Sequence, residues 1–403
     1  MAEVTKTRWG TVITLLLAGM ISALQVSKVA IALPQLQHDF SLSLFVAASA
    51  IGAYSVLGAA LGMPLGFLFS LVSARRAVLA GFVIAALGSF LGADATNGEL
   101  LVAARIVEGC GFLATVLSIP PLLRRAAAPR DLDTIMSLWS AYLPSGAAIM
   151  MLAGPAVLEL GWRVLWIGNG ALSLAAAVIL FFLPVLDVAA PSGAKHFQYA
   201  GAVLRSKTTF LLALTFGLYT FQFMAMGGLL PTLLVQRAGL SVTSAGWITA
   251  LIWIANAVGN VSAGLLLRTG VPMWTLLLGA FSLMGVAAFG VFSANLPLIV
   301  IVVLACTSLG LTGLIPGSVF AAAARTASVP AMLVLTLGLI NQGSNIGTLL
   351  GPATLGFLVQ DFGWDSAWLL FAAVAVCGMT TALGLRATIA PSSSIASVTS
   401  AGP

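Results

Sequence analysis

Long apolar segments follow one another along almost the whole chain, and they constrain its fold more than any other feature. A helix that crosses a lipid bilayer needs about 20 consecutive, mostly apolar residues. Segments of this kind, separated by charged or Pro/Gly-rich breaks, cover residues 10–34, 43–71, 77–95, 99–123, 134–158, 163–186, 208–235, 243–267, 273–294, 297–323, 329–359 and 366–388. The pattern predicts an all-α membrane protein with about 12 transmembrane helices.

The composition also indicates that lipid is the solvent. Of the 403 residues, 60% are hydrophobic and 7% are charged, whereas a soluble domain carries roughly a quarter charged residues. The net charge of +6 could suggest a nucleic-acid partner, but the basic residues lie between the apolar segments. They are therefore interpreted as topology signals, and no nucleic-acid partner is predicted.

The basic residues predict an orientation in the membrane. If both termini are cytoplasmic, the outer segments hold only Arg163 and Arg237. The inner segments then hold Lys6, Arg8, Arg75, Arg76, Arg124, Arg125, Arg130, Lys195, Arg205, Lys207, Arg268, Arg325 and Arg386. This bias predicts a multi-pass protein of the cell membrane, inner or plasma, with both termini in the cytoplasm. Trp162 and Trp166 would lie near the outer interface, where we expect them to act as anchors.

Cysteine and histidine give no sign of a metal site. Cys110, Cys306 and Cys377 lie inside apolar segments, and His38 and His196 are far apart in sequence. Neither arrangement supports a disulfide framework, so no disulfide, metal or cofactor is predicted. An enzyme would need convergent acids, bases or metal ligands. Because only one acidic residue lies deep inside an apolar segment, we do not expect an enzyme.

Landmarks of the first half of the chain recur in the second half at nearly one offset. The matches are Pro34 with Pro231, Gly66 with Gly264, Pro120 with Pro316, and Gly154-Pro155 with Gly351-Pro352, at offsets of 197, 198, 196 and 197 residues. Six helices return the chain to its starting side, so both copies point the same way. That parallel repeat is typical of a two-lobed transporter with a site between its lobes.

The predicted organisation is therefore two six-helix bundles related by a pseudo-twofold axis. The amino-terminal lobe covers residues 1–187, and the carboxy-terminal lobe covers residues 208–388. Residues 188–207 contain Pro, Gly and basic residues and are predicted to be a cytoplasmic linker, whereas the Ser/Ala-rich residues 389–403 are predicted to be a disordered tail. Two lobes around one site make a monomer sufficient, so a monomer is expected.

Several local motifs resemble those of the major facilitator superfamily. The segment from Leu24 to Pro34 is similar to the first-helix motif of its drug:proton antiporters, which have an acid where Gln25 stands. Residues 66–76 resemble the family's loop motif between helices 2 and 3. Gly66, Arg75 and Arg76 match that motif, and a serine replaces its usual acid.

Two further helices carry the same resemblance. The segment Arg105-Ile-Val-Glu108-Gly109 is similar to the family's Arg-x-x-Gln-Gly in helix 4, with Glu108 in place of Gln. Gly154-Pro155 partly matches the helix 5 motif of antiporters, and Gly351-Pro352 is its counterpart in helix 11. The resemblance covers essentially the whole chain. It implies the two-bundle fold of this family, with Gly66, Arg75, Arg76 and the two Gly-Pro pairs in gating or structural roles.

Three ionisable residues remain deep inside the apolar helices: Lys28, Arg105 and Glu108. Each costs about 2.5 kcal/mol or more at mid-membrane, so each needs a partner or a water-filled cavity. Lys28 either binds substrate or snorkels to the outer headgroups. Arg105 either binds substrate or forms a structural ion pair with Glu108 at i to i+3. Glu108 either exchanges a proton during the cycle or neutralises one of the two cations.

The carboxy-terminal lobe offers amides and aromatics in place of buried charge. The substrate-binding candidates there are Tyr219, Gln222, Trp253, Asn256, Asn341 and Asn345. Gln25, a candidate in the other lobe, and Gln222 each precede their helix's proline by nine residues, so they lie at equivalent heights. Hydrogen bonding between helices is the alternative role for each amide.

These features predict a secondary transporter that moves a small organic solute by alternating access. Two buried cations and one acid favour an anionic or carboxylate-bearing metabolite, moved with protons or in exchange. The antiporter motifs instead favour proton-driven efflux of drugs or metabolites. A transporter-like sensor is a third interpretation. The expected partners are a small-molecule substrate, the lipid bilayer and protons.

Overall fold

A computed structural model describes residues 6–70, 72–183, 199–292, 296–326 and 330–389. Within these ranges the regular structure is helical. The α-helices are α1 (Trp9–Phe40), α2 (Leu44–Gly52), α3 (Val56–Ser70), α4 (Ala74–Ala93), α5 (Gly98–Ala126), α6 (Leu132–Ser140), α7 (Tyr142–Leu158), α8 (Trp162–Phe182), α9 (Ala200–Arg205), α10 (Lys207–Ala238), α11 (Val242–Arg268), α12 (Met273–Phe292), α13 (Leu298–Thr312), α14 (Leu314–Thr326), α15 (Pro330–Phe362) and α16 (Ala367–Thr388). The prediction of an all-α fold is confirmed.

The number of membrane crossings agrees with the prediction of about twelve. In the described residues, ten stretches are long and apolar enough to cross a membrane, and the pair α6 and α7, bent by 47°, makes an eleventh. The remaining long helix, α15, has 33 residues and a length of about 50 Å at 1.5 Å per residue. Helices α2 with α3 and α13 with α14 each form one crossing that is broken near its middle.

One helix boundary differs clearly from that read from the sequence. α1 runs past Pro34 and ends at Phe40, whereas α10 contains Pro231, as predicted, and ends at Ala238. The prediction ended the first of these segments at its proline, because proline removes a backbone donor. Within a bundle, neighbouring helices and local adjustment tolerate such a proline, so the helix continues.

Local sequence signals explain where many of these helices begin. Ser43, Ser73, Ser206 and Ser241 each accept a hydrogen bond from the backbone N–H three residues later at the start of α2, α4, α10 and α11. This is the N-cap geometry that satisfies an otherwise free helix donor.

A glycine precedes a tryptophan in each half of the chain, at Gly161-Trp162 and Gly363-Trp364, and the backbone conformation there favours glycine. Gly161 precedes α8 with φ of 98°, and Gly363 precedes the turn that leads into α16 with φ of 76°. Glycine adopts this left-handed region without steric cost, whereas residues with a Cβ rarely do. Both turns lie at the end of the molecule that the charge pattern assigns to the outside, called here the predicted outer end.

Helices α1 to α8 form one bundle, and α10 to α16 form the second. The two meet where α15 packs along α2 and α3, and where α7 packs against α11. The contact is close: a Cβ on Gly58 of α3 would lie 2.4 Å from Cγ of Asn345 on α15. α9 falls within the predicted linker. Residues 188–198 of that linker and 390–403 of the predicted tail lie outside the described residues.

Candidate functional site

Lys28 lies inside the amino-terminal bundle with its ammonium group fully enclosed. Its Nζ donates to Oε1 of Glu108 on α5, to Oγ of Ser89 on α4 and to Oε1 of Gln25 on its own helix, each at 2.7 Å. The ring of Trp166 on α8 covers the same ammonium, with its centroid 4.7 Å from Nζ. Four helices therefore meet around one charged atom.

The acceptors around Lys28 are themselves held in place. Gln25 donates its Nε2 to the carbonyl oxygen of Asn169 at 3.0 Å and to Oγ of Ser173 at 2.8 Å, both on α8. These bonds turn Oε1 toward Lys28. Ser89 donates to the carbonyl oxygen of Trp166 at 2.7 Å, so its lone pairs remain available to the ammonium.

Arg105 joins the same network from the opposite side of Glu108. Its guanidinium contacts Oε2 of Glu108 and donates to the carbonyl oxygen of Gln25 at 2.6 Å. Longer bonds of 3.4 Å reach the carbonyl oxygens of Val26 and Ala50. Glu108 therefore uses each carboxylate oxygen for a different cation. We call Lys28, Arg105 and Glu108 the charge cluster.

The charge cluster is buried and carries one surplus positive charge. Lys28 and Arg105 are 0% exposed and Glu108 is 1% exposed, and they are the only buried ionisable side chains with formal charge in the described residues. The alternative that Lys28 snorkels to the headgroups is therefore wrong for this conformation. The alternatives that Glu108 pairs with Arg105 and that it neutralises Lys28 are both realised at once.

The two tryptophans expected to anchor α8 at the outer interface lie inside the protein. Trp162 is 2% exposed and donates its Nε1 to Oδ2 of Asp39 at 2.8 Å, which ties the end of α1 to the start of α8. Trp166 is fully buried over Lys28. The anchoring prediction is wrong because both rings lie on the face of α8 that turns toward the bundle.

The charge cluster lies one residue layer behind the contact between the lobes. Arg105 donates to the carbonyl oxygen of Ala50, and the next residue, Ile51, packs against Gly228 of α10, where a Cβ would lie 3.1 Å from the Ile51 side chain. Tyr54, three residues further along the chain from Ile51, covers the guanidinium of Arg105 with its ring, whose centroid lies 5.4 Å from Cζ. A charge at this depth influences the interface electrostatically without contacting it.

Three candidates of the carboxy-terminal lobe lie together. Tyr219 donates its hydroxyl to Oδ1 of Asn256 at 3.2 Å, and Asn256 donates Nδ2 to the carbonyl oxygen of Leu309 at 2.7 Å. The ring of Phe223 connects Tyr219 with Trp253, at centroid distances of 5.2 and 4.5 Å. This group is neutral, and the buried Nε1 of Trp253 has no hydrogen-bond partner among the described residues.

The other amides lie elsewhere. Gln222 is fully buried, and its Oε1 has no hydrogen-bond partner in the part of the chain that the structure describes. Asn345 donates to the carbonyl oxygen of Asn341 at 2.7 Å and packs against Gly58 at the lobe contact. Asn341 is half-buried one turn before it.

The motif residues are distributed around both lobes. Gly66 lies in α3, and Arg75 and Arg76 lie in the first turn of α4, where Arg75 donates to the carbonyl oxygen of Phe181 at 2.6 Å. The Gly-Pro pairs are Gly154-Pro155 in α7 and Gly351-Pro352 in α15. Both helices continue through their prolines, and the 47° bend in the fifth crossing lies at Ala141.

Three contributors to the charge cluster were not found from the sequence: Ser89, Trp166 and Tyr54. A single serine in an apolar helix is ordinary and gives no local signal.

The described residues contain no group of three His, Cys, Asp or Glu side chains that could hold a metal ion. The cluster is therefore a site of charge and hydrogen bonding.

The comparison with known families identifies the chain. A family model described as Major Facilitator Superfamily matches residues 15–333 and 212–399. The chain belongs to the Major Facilitator Superfamily. Its fold agrees: the nucleoside transporter NupG has a TM-score of 0.75 at 16% sequence identity, over 94% of this chain and 100% of that chain.

Two curated relatives in this superfamily differ in the function that their names give. The hexuronate transporter of Bacillus subtilis is 24% identical over 398 residues, which cover 92% of this chain and 93% of the relative. The multidrug efflux pump LfrA of Mycolicibacterium smegmatis is 32% identical over 186 residues, which cover 45% of this chain and 35% of that pump. Similarity to membrane transporters of the superfamily supports secondary transport by this multi-pass membrane protein.

Proposed function

We propose that this transporter moves a small organic anion with a carboxylate group, by alternating access, in symport with protons or in exchange. The observation that carries the proposal is the surplus positive charge of the charge cluster behind the lobe contact. An uncompensated cation in a low-dielectric protein attracts an anion much more strongly than a solvated cation does.

The carboxy-terminal lobe complements this charge with neutral groups. Among the described residues, the N–H donor of Trp253 and the Oε1 acceptor of Gln222 have no hydrogen-bond partner. Buried polar atoms are normally hydrogen-bonded, so such atoms near a transport path suit the polar groups of a solute. Tyr219 and Asn256 hydrogen-bond to each other in the same lobe, and Asn345, which donates to the carbonyl oxygen of Asn341, packs against Gly58 at the lobe contact. We assign substrate contact to these residues and electrostatic attraction to Lys28 and Arg105.

The relatives support the same choice. A hexuronate, the substrate in the name of the relative that matches over 92% of this chain, is a sugar acid with a carboxylate and several hydroxyls. The efflux alternative is favoured by the match to LfrA, but that match covers 35% of the pump. Export of cationic drugs would also place a cationic solute beside a surplus cation.

The membrane arrangement that goes with this function is the one expected from the charge pattern. Both termini are cytoplasmic, the protein lies in the inner or plasma membrane, and one monomer contains a complete transport path between its lobes. The motif residues Gly66, Arg75, Arg76, Gly154, Pro155, Gly351 and Pro352 serve the movement of the lobes.

Proteoliposome transport tests the proposal. We expect uptake of D-glucuronate, increased by an inward proton gradient or by counter-solute inside, and no movement of ethidium. Transport of ethidium with no carboxylate uptake would support efflux and overturn the anion proposal. Movement of no solute under any gradient would favour the sensor interpretation.

Variants separate a specific role of the cluster from a general loss of charge. Lys28→Ala and Arg105→Ala should each reduce carboxylate uptake at least tenfold. The control is Arg237→Gln, which removes a cation whose guanidinium contacts Asp365 and the carbonyl oxygen of Phe292 at the predicted outer end. Its uptake should stay within twofold of the unsubstituted protein. Equal losses in all three variants would contradict a role for the cluster.

A further inference from the structure

The charge cluster contains two cations and one carboxylate, all buried from bulk solvent. Glu108 contacts Lys28 at 2.7 Å through one oxygen and Arg105 through the other. The neighbouring helices add Ser89 from α4 and Trp166 from α8, and Tyr54 faces Arg105 from the turn after α2. None of these additions is an anion, so the site holds a net charge of +1.

This charge count decides which residue can exchange a proton at low cost. An arginine stays protonated in proteins. Protonating Glu108 would break both ion pairs and raise the buried charge from +1 to +2. Removing a proton from Lys28 would lower the buried charge from +1 to zero and leave the Glu108–Arg105 pair intact. The cost of burying unpaired charge favours the second change.

We propose that Lys28 takes up and releases the coupled proton, and that Glu108 stays ionised as a fixed bridge between the cations. The proposal rests on the proposed function and makes it more specific. It differs from the expectation from sequence, which gave the proton to Glu108 as the sole buried acid.

The conformation described here is the proton-loaded one. An ammonium group has three N–H donors, and Lys28 has three acceptors at 2.7 Å: Glu108, Ser89 and Gln25. A neutral amine would have two donors and a lone pair, so one of the three acceptors would lose its bond, or Ser89 would have to turn its hydroxyl toward the lone pair. Release of the proton therefore requires the polar groups around Lys28, which belong to α1, α4 and α5, to rearrange, and this couples protonation to conformation.

The same proton controls the attraction for an anion. With Lys28 protonated the cluster carries +1, and with Lys28 neutral it carries no net charge. Proton binding should therefore raise the affinity for a carboxylate, and by reciprocity the carboxylate should raise the affinity for the proton. This linkage gives symport without any direct contact between Lys28 and the substrate.

A titration without any solute tests the proton site. The chain has only four lysines: Lys6, Lys28, Lys195 and Lys207. In protein labelled with ¹³Cε-lysine, we expect the NMR signal of Lys28 to change from ammonium to amine within the pH range over which uptake depends on pH. The signal should be absent from Lys28→Arg. A variant with Lys6, Lys195 and Lys207 all replaced by arginine keeps Lys28 as its only lysine and assigns the signal independently.

Glu108→Gln provides the second measurement. Because the ammonium would lose its counter-ion beside Arg105, the Lys28 transition should move to lower pH by about one unit or more. Infrared spectra should show no protonated-carboxyl band that depends on Glu108 in the transport range. A Lys28 signal that stays ammonium throughout, with such a band present, would overturn the proposal. A titrating Lys28 in a protein that moves no carboxylate would instead contradict the proposed function alone.

Discussion

Gln25 and Gln222 are chemically identical residues in equivalent positions of the two lobes, yet their surroundings differ. Gln25 accepts from Lys28 and donates to α8, and all its polar atoms are engaged. Gln222 has a buried Oε1 without a partner in the described residues, and its Nε2 contacts only the sulfur of Met226 at 3.9 Å. The residue at the offset of 197 from Lys28 is Ala225, which is also fully buried.

This difference predicts unequal responses to one substitution. Gln25→Glu places a carboxylate beside Lys28 and brings the charge cluster to neutrality, but it loses the hydrogen bond that Gln25 donates to the carbonyl oxygen of Asn169, so the melting temperature in detergent should fall only modestly. Gln222→Glu buries a carboxylate with no cation nearby, which costs several kcal/mol and should lower the melting temperature markedly. Fluorescence-monitored unfolding of both variants under one condition checks this. Equal melting temperatures would contradict the difference in electrostatics between the lobes.

Helix α15 packs with its backbone very close to that of α10. Three glycines, Gly343, Gly347 and Gly351, form a row with four-residue spacing that packs on the backbone of α10. A Cβ on Gly347 would lie 2.0 Å from the carbonyl oxygen of Gly217. Such small-residue rows allow helices in membranes to approach closely. One of these glycines belongs to the Gly-Pro pair, which therefore has a packing role whether or not it also bends during the cycle.

The row predicts a position-specific cost for one added methyl group. Gly347→Ala should destabilise the protein by about 1–3 kcal/mol or more, because α15 must move away from α10. Gly264→Ala is the matched control, since no atom lies within 4 Å of its added Cβ and alanine favours a helix. Size-exclusion chromatography of both variants should show a loss of folded protein for Gly347→Ala alone. Unchanged folding of Gly347→Ala would contradict the close contact.

The helices could be read from the sequence because their signals are local. Apolar length located the crossings, and repeated Pro and Gly residues revealed the two bundles. The charge cluster was recognisable as three ionisable residues in apolar helices, but its arrangement was not. Whether Glu108 would pair with Lys28, with Arg105 or with both depends on how α1, α4, α5 and α8 pack. Ser89 and Trp166 entered the site for the same reason, through tertiary packing that no spacing in the sequence encodes.

For the whole molecule, the asymmetry of charge suits the proposed division of tasks between the two lobes. The amino-terminal lobe contains the charge cluster, whose net charge changes with one proton in the proposed mechanism. The carboxy-terminal lobe contains neutral polar groups, and two of their buried atoms, Oε1 of Gln222 and Nε1 of Trp253, have no partner in the described residues. Under these proposals the transporter senses the proton in one lobe and recognises the solute largely in the other. The lobes must therefore move relative to each other for the proton to influence the solute.

A cross-link at the predicted outer end tests that movement. A Cβ on Gly356 of α15 would lie 2.6 Å from Cβ of Ala48 on α2, so cysteines at these positions should form a disulfide between the lobes after a small adjustment. In a background with Cys110, Cys306 and Cys377 replaced by serine, oxidation should abolish uptake, and reductant should restore it. The bond holds this end closed, and alternating access requires it to open.

The matched control is a disulfide within one lobe. A Cβ on Gly285 of α12 would lie 2.9 Å from Cβ of Ala375 on α16, and both helices belong to the carboxy-terminal bundle. Cysteines at Gly285 and Ala375 should cross-link equally well and leave most of the uptake intact, because lobes that move as bodies do not strain this bond. Loss of uptake in both cross-linked proteins would indicate that the bundles deform internally, and retention in both would contradict opening at the contact of α2 with α15.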